Sequence, residues 1–185
     1  MGGLGGHMSH VYENMNMTFT QFLDLHDAVS SGKIVTTEKV DGQNIFFSYD
    51  ITTSIAKFAR NKTEIKKGGL TLQELKDKFA GRGTVEEAFV YGGTVIEDAL
   101  RSLRDSDLKQ LFEKPGTYIN CEIMYVNNPN LIIYDGNYIV LHSGKTYDET
   151  GKVSGEIPQD MFDKFSKILS QSESHDSEWS ISKPT

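Results

Sequence analysis

Glu38-Lys39-Val40-Asp41-Gly42-Gln43-Asn44-Ile45-Phe46-Phe47-Ser48-Tyr49-Asp50 runs from a charged, glycine-containing turn into an aromatic stretch. Residues 44–49 read as a strand, because aromatic and β-branched side chains suit a pleated, half-buried surface. Residues 34–40 read as the strand before it, with Asp41-Gly42 as the hairpin turn between them. A third strand is expected over residues 54–59, reached through the polar pair Thr52-Thr53.

Helices flank this β unit. Phe19, Phe22, Leu23, Leu25 and Val29 recur near helical spacing, and Ser31-Gly32 ends the pattern, so residues 18–31 are expected to be helical. Thr71-Leu72-Gln73-Glu74 and Thr84-Val85-Glu86-Glu87 both match a capping box, in which a threonine caps and the glutamate reaches back. The second of these helices should run to about Leu103, bent or split at Gly92-Gly93. A shorter helix is expected over residues 108–112. Strands return over residues 117–126, 131–134 and 138–141, with Asp135-Gly136-Asn137 as a turn. Residues 145–155 read as a polar hairpin or loop, and residues 159–169 as a helix. Strands, helices and strands again predict an α+β fold with an antiparallel sheet and inserted helices. Residues 18–169 are expected to form the domain, preceded by a flexible glycine-rich segment (1–17) and followed by a serine- and acid-rich, disordered tail (170–185) from which Trp179 is the residue placed to pack.

Bulk properties restrict the function. The 185 residues suffice for one domain with a sizeable core. No apolar run approaches the roughly 20 residues of a membrane span, and no secretory pattern opens the sequence. The single cysteine, Cys121, excludes an internal disulfide framework and suits a cytoplasmic location. A net charge of −7 argues against nonspecific grip on nucleic acid by this chain alone. It leaves room for a nucleotide pocket, which needs only a few placed cations.

Lys39 is the candidate nucleophile. An ordinary lysine, with a pKa near 10.4, is neutral in only about one molecule in 2,500 at pH 7, so its surroundings must supply the reactive amine. A carboxylate favours the ammonium form, which suits Asp41 to orienting Lys39 or holding a magnesium-bound water rather than activating it. Gly42 permits a sharp turn and close approach of a phosphate to the backbone. Asp-Gly is also an ordinary hairpin turn and Glu-Lys an ordinary surface pair, so these residues by themselves carry little.

The later spacing adds to them. Glu38-Lys39-Val40-Asp41-Gly42-Gln43-Asn44 resembles the nucleotidyl-lysine motif of the covalent nucleotidyltransferase superfamily: ATP-dependent DNA ligases, RNA ligases and mRNA capping enzymes. Ala59-Arg60-Asn61-Lys62 resembles the family's arginine after the next strand. Tyr118-Ile119-Asn120-Cys121-Glu122-Ile123 resembles its downstream acidic strand, and Tyr138-Ile139-Val140-Leu141-His142 its following hydrophobic strand. The resemblance implies a partial ligase-type (ATP-grasp-like) domain that uses ATP and Mg2+. It implies a covalent lysyl-AMP at Lys39, with Glu38 reading the adenine and Asp41, Gly42 and Asn44 completing the motif. Arg60 would contact the ribose or phosphates, Glu122 a ribose hydroxyl, and Tyr138 is the candidate to stack on the base. Glu before the lysine and Asn44 after the glycine follow the RNA-ligase variant, which favours RNA over DNA as the nucleic-acid substrate.

The family's late Glu-Gly and Lys-x-Lys strands have no counterpart. The expectation is therefore an N-terminal part of a longer enzyme. The alternative is a catalytically inactive nucleotide-binding or structural module of a phage protein. A narrower resemblance, through His10-Val11-Tyr12-Glu13-Asn14 and Met17-Thr18-Phe19, is to uncharacterised ligase-like proteins of tailed bacteriophages.

Other groups read more simply. His7, His10 and Glu13 have helical spacing for a metal, but flanking glycines do not hold ligands still. Lys62, Lys66, Lys67 and Gly68-Gly69 read as a solvated basic loop before a phosphate site. Arg101, Arg104 and Lys109 read as polar helix faces. Cys121 alternates with Glu122 and reads as a buried structural thiol.

Overall fold

The computed structural model describes residues 11–34, 36, 39–172 and 178–184. Its elements are α1 (Phe19–Ser30), β1 (Gln43–Asp50), β2 (Ile55–Ala59), α2 (Lys62–Lys66), α3 (Leu72–Phe79), α4 (Thr84–Ser102), α5 (Asp105–Phe112), β3 (Thr117–Met124), β4 (Asn137–Tyr147), β5 (Val153–Glu156), α6 (Gln159–Ser170) and β6 (Trp179–Ser182). The six-stranded sheet has the order β2-β1-β3-β4-β5, every neighbour antiparallel, and β6 adds parallel to the first half of β4. The class is α+β with an open, mainly antiparallel sheet, as the order of elements in the sequence predicts.

Strand alternation divides the core. Ile45, Phe47 and Tyr49 of β1, Phe58 of β2, Ile119, Cys121 and Ile123 of β3 and Leu141 of β4 pack under α3, α4, α5 and α6. Their neighbours Phe46, Ala59, Tyr118 and Tyr147 form a smaller cluster on the opposite face with Ile65 of α2. The chain therefore has a helical face and an opposite face whose middle carries polar side chains. Gly92 and Gly93 do not break α4. A Cβ on Gly92 would lie 2.7 Å from Ile123 Cδ1, and one on Gly93 2.9 Å from Leu72 Cδ1. The glycines let an unbroken helix lie close on the sheet. Cys121 is fully buried on the helical face, where desolvation raises its thiol pKa.

Several expectations change. Ile34, Thr36, Lys39 and Val40 pair with no strand, so Asp41-Gly42 is not a hairpin turn; Val35, Thr37 and Glu38 lie outside the described residues. Residues 131–134 are not a strand. Their backbone is turned toward Asp41, whose carboxylate accepts hydrogen bonds from the Leu131 and Ile132 N–H groups at 2.6 and 3.3 Å. Thr84 does not cap α4: Gly83, at φ +59°, does, and the Thr84 hydroxyl donates to Asn128. The capping boxes that do form are Thr71–Glu74 on α3 and Thr18–Gln21 on α1. Part of the expected loose tail is β6. Trp179, 8% exposed, stacks on Tyr125 with ring centroids 5.9 Å apart, and Lys183 bonds Asp163 of α6. Among the described residues no helix is long and apolar enough to cross a membrane.

Candidate functional site

Residues 39–43 form a strap across the end of the sheet where β1 begins and β3 ends. Val40 anchors it. Its side chain is buried against Met124 of β3 and Val140 of β4, with Tyr134 and Tyr138 packed alongside. Both Met124 and Val140 lie on the opposite face, so the strap enters β1 from that side. The Asp41 N–H donates to the Tyr134 hydroxyl at 3.0 Å. The Gly42 N–H donates to Glu122 Oε2 at 2.8 Å, and the Gly42 carbonyl accepts from Asn130 Nδ2 at 3.0 Å. Asn130 Oδ1 accepts in turn from Gln43 Nε2. Strap and 130–134 loop thus hold each other in place, with Asp41 as the hinge pin.

Gly42 owes its identity to crowding rather than to turn geometry. Its φ is not in the left-handed region, but a Cβ there would stand 2.7 Å from the Ile123 carbonyl oxygen and 2.9 Å from Met124 Cγ. Backbone cannot retreat as a side-chain tip can. The close approach brings the Gly42 N–H within reach of Glu122.

Around the strap, Asn44, Glu122 and Val140 share one cross-strand row. Asn44 Nδ2 donates to Asn120 Oδ1 at 2.7 Å. Half-burial raises the Glu122 pKa above the usual glutamate value; the Gly42 N–H opposes that shift, Asp41 adds to it and Lys39 opposes it. Lys39 is exposed and electrostatically felt by Glu122. An amine, a half-buried carboxylate and an asparagine therefore gather at one strand end. That arrangement can hold a polar ligand between a cation and a hydrogen-bond acceptor.

Arg60 does not join them. Two residues beyond Phe58, it leaves the sheet on the helical face. Its guanidinium lies 4.6 Å from the Phe89 ring centre and 5.7 Å from that of Phe79. Its Nε donates to the Asn44 carbonyl at 3.2 Å and its N–H to Glu64. Burial lowers its pKa from the usual arginine value, with Glu64 opposing. Tyr138 reaches the strap through Val40, and its hydroxyl donates to Asp135 at 2.6 Å. Glu38, His7 and His10 lie outside the described residues. Lys62 and Lys66 belong to α2 and flank Gly151. Arg101 pairs with Glu97, and Arg104 with Asp107.

Three residues escape a reading of the sequence. Tyr134 falls in the stretch that resembles a strand, and Asn130 ends the Asn127-Asn128-Pro129-Asn130 turn signal just before it. His142 is the extra residue of a β-bulge, since Cys121 pairs with Leu141 while Asn120 pairs with Ser143. Its Nε2 is buried with no hydrogen-bond partner among the described residues, and desolvation lowers its pKa. Compared with protein-family models, curated proteins and solved structures, the chain finds no match.

Proposed function

We propose that this chain carries the nucleotide-accepting part of an ATP-dependent polynucleotide-ligase-type nucleotidyltransferase. The observation that supports it is the strap: Lys39 is presented to solvent beside Glu122, on a turn locked by the Gly42–Glu122 bond and by the grip of Asp41 on residues 131 and 132. In this reading the neutral Lys39 amine attacks the α-phosphorus of ATP. A nitrogen–phosphorus bond forms, the bond to pyrophosphate breaks, and the amine proton passes to solvent. The adenylate then moves from Lys39 to a polynucleotide 5′-phosphate, and a 3′-hydroxyl finally displaces AMP. Glu122, with one oxygen held by Gly42, keeps the other for a ribose hydroxyl. RNA is the favoured acceptor because Asn44 follows the RNA-ligase pattern.

Magnesium, when bound, would shield the phosphates. The described residues fit no protein cage for it. They contain no group of three or more His, Cys, Asp or Glu that could hold a metal, and the Asp41 carboxylate is occupied by backbone N–H groups. A magnesium ion here would come with the triphosphate. Arg60, under the helical face, acts in this reading by holding the Asn44 carbonyl at the start of β1.

The position of Arg60 also favours a second reading, a module of a phage protein that binds a nucleotide, or serves structure alone, without turnover. Incubating the product of the natural reading frame with α-labelled ATP and magnesium separates the two. Label on the wild-type protein and none on Lys39→Ala supports transfer. Thermal stabilisation by ATP without label supports binding alone.

A further inference from the structure

Exposed large apolar side chains are not scattered over this chain. Among the described residues they fall almost entirely in two stretches. One runs from Val11 to Ile34 and centres on α1. The other is Leu131-Ile132-Ile133, with Val126 shortly before it. Tyr91 and Val153 alone lie outside them among the described residues. Single exposed apolar residues are ordinary, whereas a run of them marks a surface that meets something.

The α1 helix has the pattern of a helix that is covered. Phe19, Phe22, Leu23 and Val29 follow helical spacing and share one side. Yet no residue of α1 is buried. A helix of 12 residues is marginal in water by itself, even with the Thr18–Gln21 capping box. The 131–133 stretch is the complement, an apolar surface already held in place. Asp41 pins the Leu131 and Ile132 N–H groups, while Leu131 and Ile133 are 94% and 80% exposed. Within one chain the two patches do not cover each other, since Phe19 stays 76% exposed and Leu131 almost wholly so. Their charges also differ in sign. The α1 helix carries Asp24 and Asp27 and no lysine or arginine, whereas Lys39 is exposed on the strap that Asp41 ties to Leu131.

We infer that these patches are the two halves of an interface with a second copy of this chain, α1 of each copy lying on residues 131–133 of the other. Reciprocal docking covers both patches of both chains with one kind of contact, repeated by a two-fold axis. The four α1 side chains and residues 131–133, at roughly 100 Å² each, offer on the order of 700 Å² per copy. Two reciprocal contacts then bury about 1,400 Å², the size of a standard stable interface. The α1 carboxylates approach the strap that carries Lys39 in the other copy, which is attraction rather than repulsion. The inference goes beyond the Lys39 chemistry and does not depend on it.

Sedimentation equilibrium of the whole chain tests it. The chain should be a dimer, and Phe22→Asp and Leu131→Asp should each weaken dimerisation at least tenfold. Both positions are exposed in the single chain, so the monomers should keep the circular dichroism of the folded protein. Val153→Asp, exposed on β5 outside both patches, should leave the dimer unchanged. Cross-linking then tests the arrangement. Cys121 is the single cysteine and is fully buried, so Phe22→Cys and Ile133→Cys each introduce one accessible thiol. Mixing these two variants under oxidation should join them by a disulfide between residues 22 and 133. A monomeric wild-type chain, a dimer indifferent to both aspartate substitutions, or a Phe22→Cys/Ile133→Cys double variant that closes its disulfide within one chain would overturn the inference.

Discussion

Gly42→Ala isolates what the strap contributes. The added Cβ would stand 2.7 Å from the Ile123 carbonyl oxygen, 2.9 Å from Met124 Cγ and 3.1 Å from the Ile123 carbonyl carbon. Two of these are backbone atoms of a central strand, so the strap must move instead. Overpacking of this kind costs about 1–3 kcal/mol. The movement also pulls the Gly42 N–H from Glu122. A hydrogen bond to a charged group contributes about 1.5–3 kcal/mol when buried, and about 1 kcal/mol here because Glu122 is half-exposed. The sum is about 2–4 kcal/mol. For a chain of this size that lowers the melting temperature by about 5–15 °C. Urea unfolding followed by tryptophan fluorescence gives the free energy, and a thermal scan gives the midpoint. Gly155→Ala is the control, since a Cβ there meets nothing within 4 Å; it should change stability by no more than about 0.5 kcal/mol. If Gly42 were an ordinary permissive glycine at an unstrained backbone position, alanine would stabilise by about 0.4–1 kcal/mol through the unfolded state. A neutral or stabilised Gly42→Ala would therefore refute the close-approach account of the motif glycine.

Asp41→Ala should release the 130–134 loop: the Leu131 and Ile132 amides lose their acceptor, exchange hydrogen faster, and stability falls by about 1–2 kcal/mol; unchanged protection of those amides would mean that Asp41 does not hold the loop. Gly92→Ala should destabilise by about 1 kcal/mol, because its clash with the β-branched, fully buried Ile123 outweighs a helix-propensity gain of about 1 kcal/mol. Adding Ile123→Val should recover part of that loss, and urea titration of single and double variants that found simple additivity would contradict it. His142 has a folded pKa below its unfolded value, so its contribution is fully present above about pH 6.5 and is lost as pH falls through the folded pKa. His142→Gln should flatten the fall in melting temperature between pH 7 and pH 5, and an unaltered slope would show that His142 does not drive it.

The legible parts of the fold are those where local pattern and tertiary demand agree. The α3 capping box and the aromatic, β-favouring composition of β1 each describe a single end or element, and each element forms where they indicate. Residues 131–134 mislead because Leu131-Ile132-Ile133-Tyr134 has strand composition, while its backbone donors are claimed by a carboxylate about 90 positions earlier. No local pattern encodes that pairing. Gly92-Gly93 misleads for the same reason, since the need for glycine arises from Ile123 and Leu72 across the interface. β6 hides in a polar tail because a short edge strand needs only Trp179 and Ile181 to bury. At the candidate site, Lys39, Asp41, Gly42, Asn44 and Glu122 stand out in sequence and converge in space. Arg60 stands out equally, yet period-two alternation from Phe58 sends it to the other face. A strand's parity, not its motif, decides which side a residue serves.

The central claim is that Lys39 accepts an adenylate, and peptide mapping by mass spectrometry tests it most directly. The product of the natural reading frame is incubated with ATP and magnesium, digested, and searched for AMP on each lysine. The account predicts an acid-labile adenylate on the peptide containing Lys39, abolished in Lys39→Ala and retained in Lys57→Ala and Lys109→Ala. An unmodified Lys39, or adenylate that persists undiminished elsewhere in Lys39→Ala, would contradict it.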